Sequence, residues 1–474
     1  MEGTAPTDLR KQLEEREAEV VDLRDLLDQA KEEIDRLREE NGQLRKELKA
    51  AGRGSKPGQS KRKKERKHPG RKPGQGPFTR RSAPEPSAAS APPVEVPVTI
   101  TQCPCCGGEL RYVRVDEVTV TDIPAQPQPE VKSYAVEVRR CERCGQQTRG
   151  QHPDVAASQY GATAHRVGPR AKAAAHVVHY QMGVPVRKLP GILREFTGIR
   201  ITQSALTQDA LKKATGVIGN AYQELRTRVA TAPAVYTDDT GWRTDGKATH
   251  LMVFDTDAET VFQIRKQHRN EEVRELIPAN YAGVMVTDRG PSYEAEKLLG
   301  VKQQKCLDHL NRNIDEVVET KTGRSRSFGI KLKDQLKRAR QLWREQRAGE
   351  AADFQVRAGE IEDEITAHLR QRQLKDADNQ RLLDGIGLQH DRGNLLRFLH
   401  EPHVEPTNNR GERAIRSSVI IRGLSHGSKN ERGAGAFAAF KSVVETGVKK
   451  GVASTIDMLE DLFRSKPRDG PSPS

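Results

Sequence analysis

The sequence predicts a multidomain α+β protein, and three observations carry that reading. An apolar heptad runs through residues 8–50. Two C-x-x-C pairs stand in residues 98–155. Residues 232–320 read as strand, strand, strand, helix, strand, helix, strand. At 474 residues the chain has room for two or three domains with an ample core. Its formal net charge of +14 points to a polyanionic partner. No stretch approaches about 20 apolar residues, so no membrane span is expected. The first residues, Met1 to Thr7, lack a basic-then-apolar leader, which makes the cytoplasm the expected location.

In residues 8–50, Leu9, Leu13, Val20, Leu23, Leu27, Ala30, Ile34, Leu37, Leu44 and Leu48 recur in steps of four and three. With Leu9 at d, leucine dominates the d positions and Asn41 is the lone asparagine at a. That pattern favours a parallel coiled-coil dimer in one register, and so a homodimer or a larger oligomer. Residues 51–97 form a Pro/Gly-rich linker. Between Ala51 and Arg81 it holds twelve Lys or Arg against one Glu, so it cannot build a core. Lys61, Arg62, Lys63, Lys64, Arg71 and Lys72 can neutralise phosphates without reading sequence.

In residues 98–155, Cys103/Cys106 and Cys141/Cys144 flank β-like stretches, Tyr112 to Val120 and Val131 to Arg139. Four thiolates at this spacing in a cytosolic chain point to one structural Zn²⁺ rather than to disulfides. Cys105 is surplus, because Cys103 and Cys106 fit the spacing better. Residues 156–231 are helix-prone. Within them Val186 to Thr197, Gly198 and Gln203 to Lys213 suggest helix, turn, helix, with Thr202 or Ser204 as the cap of the second helix. Such a pair can enter a DNA groove; two helices bridging neighbouring domains fit equally well.

Residues 232–320 begin with the apolar run Ala234 to Thr237, followed by Asp238 and Asp239. Strands are expected at Thr249–Phe254 and Thr260–Ile264, then a helix over Glu271 to Ile277. Gly283 to Thr287 reads as a buried strand with Asp288 at its C-terminal edge, where open sheets place their chemistry. A second helix (Tyr293 to Leu299) and a fifth strand (Lys302 to Leu307) follow. Residues 321–402 read as a helical insertion, and residues 403–464 open with Pro406 and Thr407 at the start of a helix carrying Glu412. Residues 465–474 are a polar tail.

The acids suggest the chemistry. Three carboxylates, Asp238, Asp288 and Glu412, suffice to hold two Mg²⁺ (or Mn²⁺) ions, which keep several waters of their own. Such an ion pair activates an oxygen nucleophile and offsets developing charge at phosphorus. Asp239 points to the opposite face of a strand from Asp238 and is the alternative ligand. His309 can orient a phosphate or a metal-bound water, and serves equally well as a structural histidine. Asn409 can hold a metal water, although capping also explains it. Arg312, Arg413, Arg416, Arg422 and Lys429 are placed for phosphate contact or for solvent.

The series DDTGW, VTDRGPSY, QQKCLDHLNR, PTNNRGER and GSKNERGA resembles the transposases of the insertion-sequence sixty-six type, which carry a DDE triad. The strand order likewise resembles the RNase H-like fold. The family's D-E-T motif matches Asp238-Asp239-Thr240, with Asp in place of Glu. Its second Asp matches Asp288, and its N-N-x-x-E-R motif matches Asn408 to Arg413. The resemblance implies a bacterial, nucleoid-associated enzyme. It would bind transposon ends and target DNA, with or without accessory transposition proteins, cleave phosphodiester bonds and transfer a 3′-hydroxyl strand. Two rival classes share these features: an inert zinc-containing DNA-binding regulator, and an RNase H-like nuclease without strand transfer.

Overall fold

A computed structural model describes residue 36 and residues 95–115, 128–150, 152–154, 167–370 and 373–464. The heptad segment apart from Arg36, the linker lysines and arginines 61–64 and 71–72, and the tail lie outside the described residues. The chain divides into two compact units, Met1–Thr121 and Asp122–Ser474, and each is taken by itself. No helix among the described residues is long and apolar enough to cross a membrane.

In the first unit, the Cys103 loop closes with Gly107 N–H donating to Cys103 O at 2.8 Å and Cys103 N–H donating to Gly108 O at 2.9 Å. Gly107 has φ +73°, which a side chain would resist. The second unit begins with a turn of the same kind: Gly145 N–H donates to Cys141 O at 2.8 Å, and Gly145 has φ +75°. Backbone N–H groups of the following residues hold both the Cys103 and the Cys141 thiols below the usual range. The strand expected over Val131 to Arg139 shrinks to β1 (Val138–Arg140), paired with β2 (Gln147–Arg149). Val131, Tyr134 and Val138 stay exposed, so this short ribbon lacks the buried face that would extend it.

Four helices follow: α1 (Pro169–Tyr180), α2 (Leu189–Thr197), α3 (Gln203–Ala214) and α4 (Val217–Val229). Between α2 and α3, Gly198 takes the left-handed conformation and Thr202 Oγ1 accepts from Ala205 N–H at 3.2 Å. Both capping devices are those the sequence offers.

The five-stranded sheet is β3 (Ala234–Thr244), β4 (Lys247–Asp255), β5 (Thr260–Arg265), β6 (Val284–Thr287) and β7 (Lys302–Lys305), in the order β5-β4-β3-β6-β7. β3, β4 and β5 form an antiparallel meander, β3, β6 and β7 run parallel, and the short helix α5 (Asn270–Arg274) lies between β5 and β6. Two expectations need correction. β3 does not end at Asp238 but runs on to Thr244, because Asp245 and Gly246, both at positive φ, close a tight hairpin into β4. The second helix is absent: two 3₁₀ turns, Pro291–Tyr293 and Glu296–Leu298, replace it. Gly290 and Gly300 bracket that segment and Ala295 is extended within it, which leaves too short a run for a helix to nucleate.

The sheet is covered on both faces. Val235, Met285 and the β5 residues Val261 and Phe262 join one core with α1, α4, α11 (Glu431–Lys449) and α12 (Thr455–Phe463). Ala234, Tyr236, Val284 and Val286 join the other with α6 (Leu307–Glu319), α7 (Gly323–Ala348), α8 (Phe354–Leu369) and α9 (Ala377–Asp391). The helical insertion is therefore a layer of the core and not an appendage: Leu332, Leu336, Ile361, Ile365 and Ile386 are buried in the same core as Leu310 and Ile314 of the sheet's own α6. Trp343 packs on this core with the Arg347 guanidinium 5.2 Å from its ring. Helix α11 also closes the β5 edge. Ser442 Oγ accepts from Phe262 N–H at 2.8 Å, and Thr446 Oγ1 accepts from Thr260 N–H at 3.0 Å. Two buried hydroxyls thus take the place of a sixth strand.

Candidate active site

The alternation of side chains along a strand decides what faces what. In the β3–β6 pairing Ala234 stands opposite Val284 and Tyr236 opposite Val286, and the same offset carries Asp238 to Asp288. Both aspartates follow residues of the insertion-side core, so they share that face. Asp239 follows Val235 and Thr237 to the other. Asp238 lies inside β3, at the point where its parallel partner has stopped; Asp288 is the residue after β6.

Helix α10 (Asn409–Ser425) brings Glu412 to this edge, and the segment before it is fastened to β3 at two points and to Cys306, just after β7, at a third. Glu405 N–H donates to Tyr236 Oη at 2.8 Å. Asn408 Nδ2 donates to Thr237 O at 2.8 Å, and Asn408 N–H to Cys306 Sγ at 3.2 Å. The Arg410 guanidinium lies 4.6 Å from the Tyr236 ring and donates to Asp257 Oδ1 at 2.5 Å and to Thr256 O at 2.7 Å. Gly411 completes the fit, since a Cβ there would meet Asn408 Oδ1 at 2.8 Å. Asn408 occupies the N-cap position but makes no capping bond, because its side chain is spent on β3.

The three acids interact. Burial, and then the charges of Asp239, Asp288 and Glu412, push Asp238 up to about 7 against the bond it accepts from Asp239 N–H. Asp288 Oδ1 accepts from Gly290 N–H at 2.8 Å. Glu412 Oε1 is buried without a hydrogen-bond partner; His309 Nδ1, also unpartnered, and Arg312 Nη2 each stand 3.8 Å away. Cys306, His309 and Glu412 place one ligand atom each within 4.8 Å of one another. Cys306 itself is buried, which pushes its thiol up, so it behaves as packing and as an acceptor. Asp239 is held apart: its carboxylate bonds His268 at 3.1 Å and His250 at 3.3 Å.

The remaining sequence candidates separate by position. Arg312, Arg413, Arg416 and Lys429 are exposed. Arg422 is tied to the sheet, donating to Thr240 Oγ1 at 2.9 Å and to Gly241 O. Asn409 Nδ2 donates to Asp308 Oδ2 at 3.3 Å. One group went unread in the sequence. Lys305, fully buried in β7, donates to Asp288 O and to Thr287 Oγ1, each at 3.2 Å, and stands 2.6 Å from Glu294 Oε1. Glu294 in turn accepts from Arg392 at 2.8 Å and Gln389 at 3.0 Å. A buried lysine needs such a counter-ion, and this one braces the backbone of Asp288. Its strand is the polar run Lys302-Gln-Gln-Lys305, so no local pattern marks Lys305 as buried.

Two solved structures of the HTLV-2 integrase catalytic core domain in complex with magnesium, one dimeric and one trimeric, are similar to part of the chain. Each is 14% identical over 19% of this chain, covering 73% and 72% of those chains, with TM-scores of 0.14. No curated protein matches. The family model described as Transposase IS66 family matches residues 165–436, more than half of the chain and all of the site just described. The chain belongs to the IS66 family of transposases.

Proposed function

We propose that the chain cleaves transposon-end DNA and joins the freed 3′-hydroxyl to target DNA, using Asp238, Asp288 and Glu412. The observation that carries this reading is the clustering of the three acids. Asp238 and Asp288 share one face of neighbouring parallel strands, and Glu412 is delivered to them by a segment riveted to β3. The donor set fits divalent ions: oxygen ligands only, one carboxylate held near neutrality by burial and like charge, and a buried unpartnered Glu412 Oε1. Two Mg²⁺ or Mn²⁺ ions, held by these three residues, would supply an activated oxygen nucleophile and charge neutralisation at phosphorus.

The chain's own residues do the rest. Asp238 is central, because both other acids act on its charge. Lys305 and the Gly290 N–H fix Asp288 from behind. His309 and Arg312 flank Glu412 from α6, where they can meet a scissile phosphate. Arg413 and Arg416 extend a positive face along α10, and Lys429 adds to it beyond the helix. The linker residues Lys61, Arg62, Lys63, Lys64, Arg71 and Lys72 add sequence-blind phosphate affinity, and the heptad segment pairs two copies. On the cysteine spacing alone, we assign one structural Zn²⁺ to Cys103, Cys106, Cys141 and Cys144.

The test is an assay of the full chain on end DNA with and without Mg²⁺. Nicking followed by joining to a second duplex is expected. Binding without nicking would mark an inert regulator, and nicking without joining a nuclease; either result refutes the reading.

A second expectation concerns pH. Asp238 has an ordinary value of 3.8 in the unfolded chain and about 7 in the fold. The folded state therefore holds this proton more tightly. The stability it confers is full below about pH 4 and is lost as pH rises through about 7. In chelator, Asp238→Asn should raise Tm relative to the parent, by less near pH 5 than near pH 8. A difference that does not widen with pH contradicts the burial of that charge.

A further inference from the structure

Asp239 takes no part in the proposed reaction, yet two histidines hold its carboxylate. β3 and β4 pair Asp239 with Met252 and Gly241 with His250, so His250 lies diagonally across from Asp239 on the same face. Its Nδ1 is 3.3 Å from Asp239 Oδ2. His268 comes from the loop after β5, and its Nδ1 is 3.1 Å from Asp239 Oδ1. That loop is itself tied down, with His268 O accepting from Ser292 Oγ at 2.7 Å. One ligand atom from each of the three residues lies within 4.8 Å of the other two. The His268 side chain is 10% exposed and its Nε2 has no partner, while Asp239 and His250 are 31% and 39% exposed. The cluster is thus braced on one side and open to solvent on the other.

We propose that Asp239, His250 and His268 form a binding site for one first-row divalent transition-metal ion, on the face of β3 opposite the three-acid cluster. Two imidazole nitrogens and one carboxylate oxygen suit Zn²⁺ and its neighbours, whereas Mg²⁺ favours an all-oxygen set. Three protein ligands leave further positions for water, and the exposed side of the cluster is where water reaches it. Binding involves no redox change. Each neutral imidazole moves its one proton from Nδ1 to Nε2 and presents the Nδ1 lone pair to the metal, while an imidazolium releases its Nδ1 proton to solvent. The two hydrogen bonds to Asp239 are replaced by ligation. This inference stands apart from the proposed reaction, since none of its three residues belongs to the catalytic cluster.

The test is calorimetric titration of the full chain with Zn²⁺, comparing variants with the parent so that the cysteine thiolates, common to all, cancel. The parent and an Asp288→Asn/Glu412→Gln chain should both show the site. His250→Gln and His268→Gln should each weaken it by at least about tenfold, as even outer-shell changes do, and the double variant should lose it. Should His268→Gln fail to fold, as judged by circular dichroism, His250→Gln decides alone, because its side chain is part-exposed. Parent-like binding by His250→Gln, or loss of the site in the Asp288→Asn/Glu412→Gln chain instead, overturns the proposal.

Discussion

Asp238→Asn should abolish strand cleavage while leaving end binding intact. The substitution keeps the shape of the side chain and its bond from Asp239 N–H, but removes the charge that Asp288 and Glu412 act upon. A neutral amide is a far weaker ligand for divalent cations than a carboxylate. Losing several kcal/mol of charge stabilisation lowers the rate by roughly a thousandfold or more. DNA affinity, which this reading assigns to basic residues of the linker and of α10 and not to Asp238, should change little. Asp239→Asn is the control: its carboxylate faces the histidines, so its effect on cleavage should be milder by orders of magnitude. The measurement is single-turnover nicking of end DNA alongside a binding titration. Equal losses for the two variants would mean that the wrong member of the Asp-Asp pair has been assigned.

Asn408→Ala should have the second largest effect, although Asn408 is placed to touch neither DNA nor metal. Its side chain bonds the carbonyl of Thr237, the residue before Asp238, and its own position sets the start of the helix that carries Glu412. Truncation leaves the buried Thr237 carbonyl short of a partner, at a cost of about 1–3 kcal/mol in stability. It also frees the helix start, and a misplacement of about 1 Å can cost roughly a hundredfold in rate. Gly411→Ala should reproduce part of this loss by crowding the same amide. Thermal unfolding and nicking rates measured on both variants distinguish positioning from chemistry. A fall in Tm with cleavage at the parent rate would show that Asn408 serves folding alone.

Much of this was legible in the sequence, for reasons that differ by element. The strands from Ala234 to Thr287 appear because their apolar runs are short and bounded by turn residues. The helical insertion appears because its leucines recur at helical spacing. The choice of Asp238 over Asp239 follows from period-two alternation once Val235 and Tyr236 are assigned to opposite cores. What escaped was tertiary. The length of β3 depends on where the Asp245-Gly246 turn closes the hairpin and how far β4 pairs back along it. Asn408 looks like a cap and instead reaches across to β3. Lys305 looks like a solvent-facing strand end and is buried against Glu294, a partner fixed only once the segment between β6 and β7 folds back. His268 meets Asp239 because β5 returns antiparallel and its loop is pinned by Ser292, and no local pattern encodes that.

The claim on which the mechanism rests is that three distant acids bind shared cations. Crystals soaked in Mn²⁺ and measured at its absorption edge test this most directly. Anomalous peaks contacting Asp238 together with Asp288 and Glu412 are the predicted result. Peaks confined to Asp239, His250 and His268, with the three acids bare at saturating Mn²⁺, would contradict it.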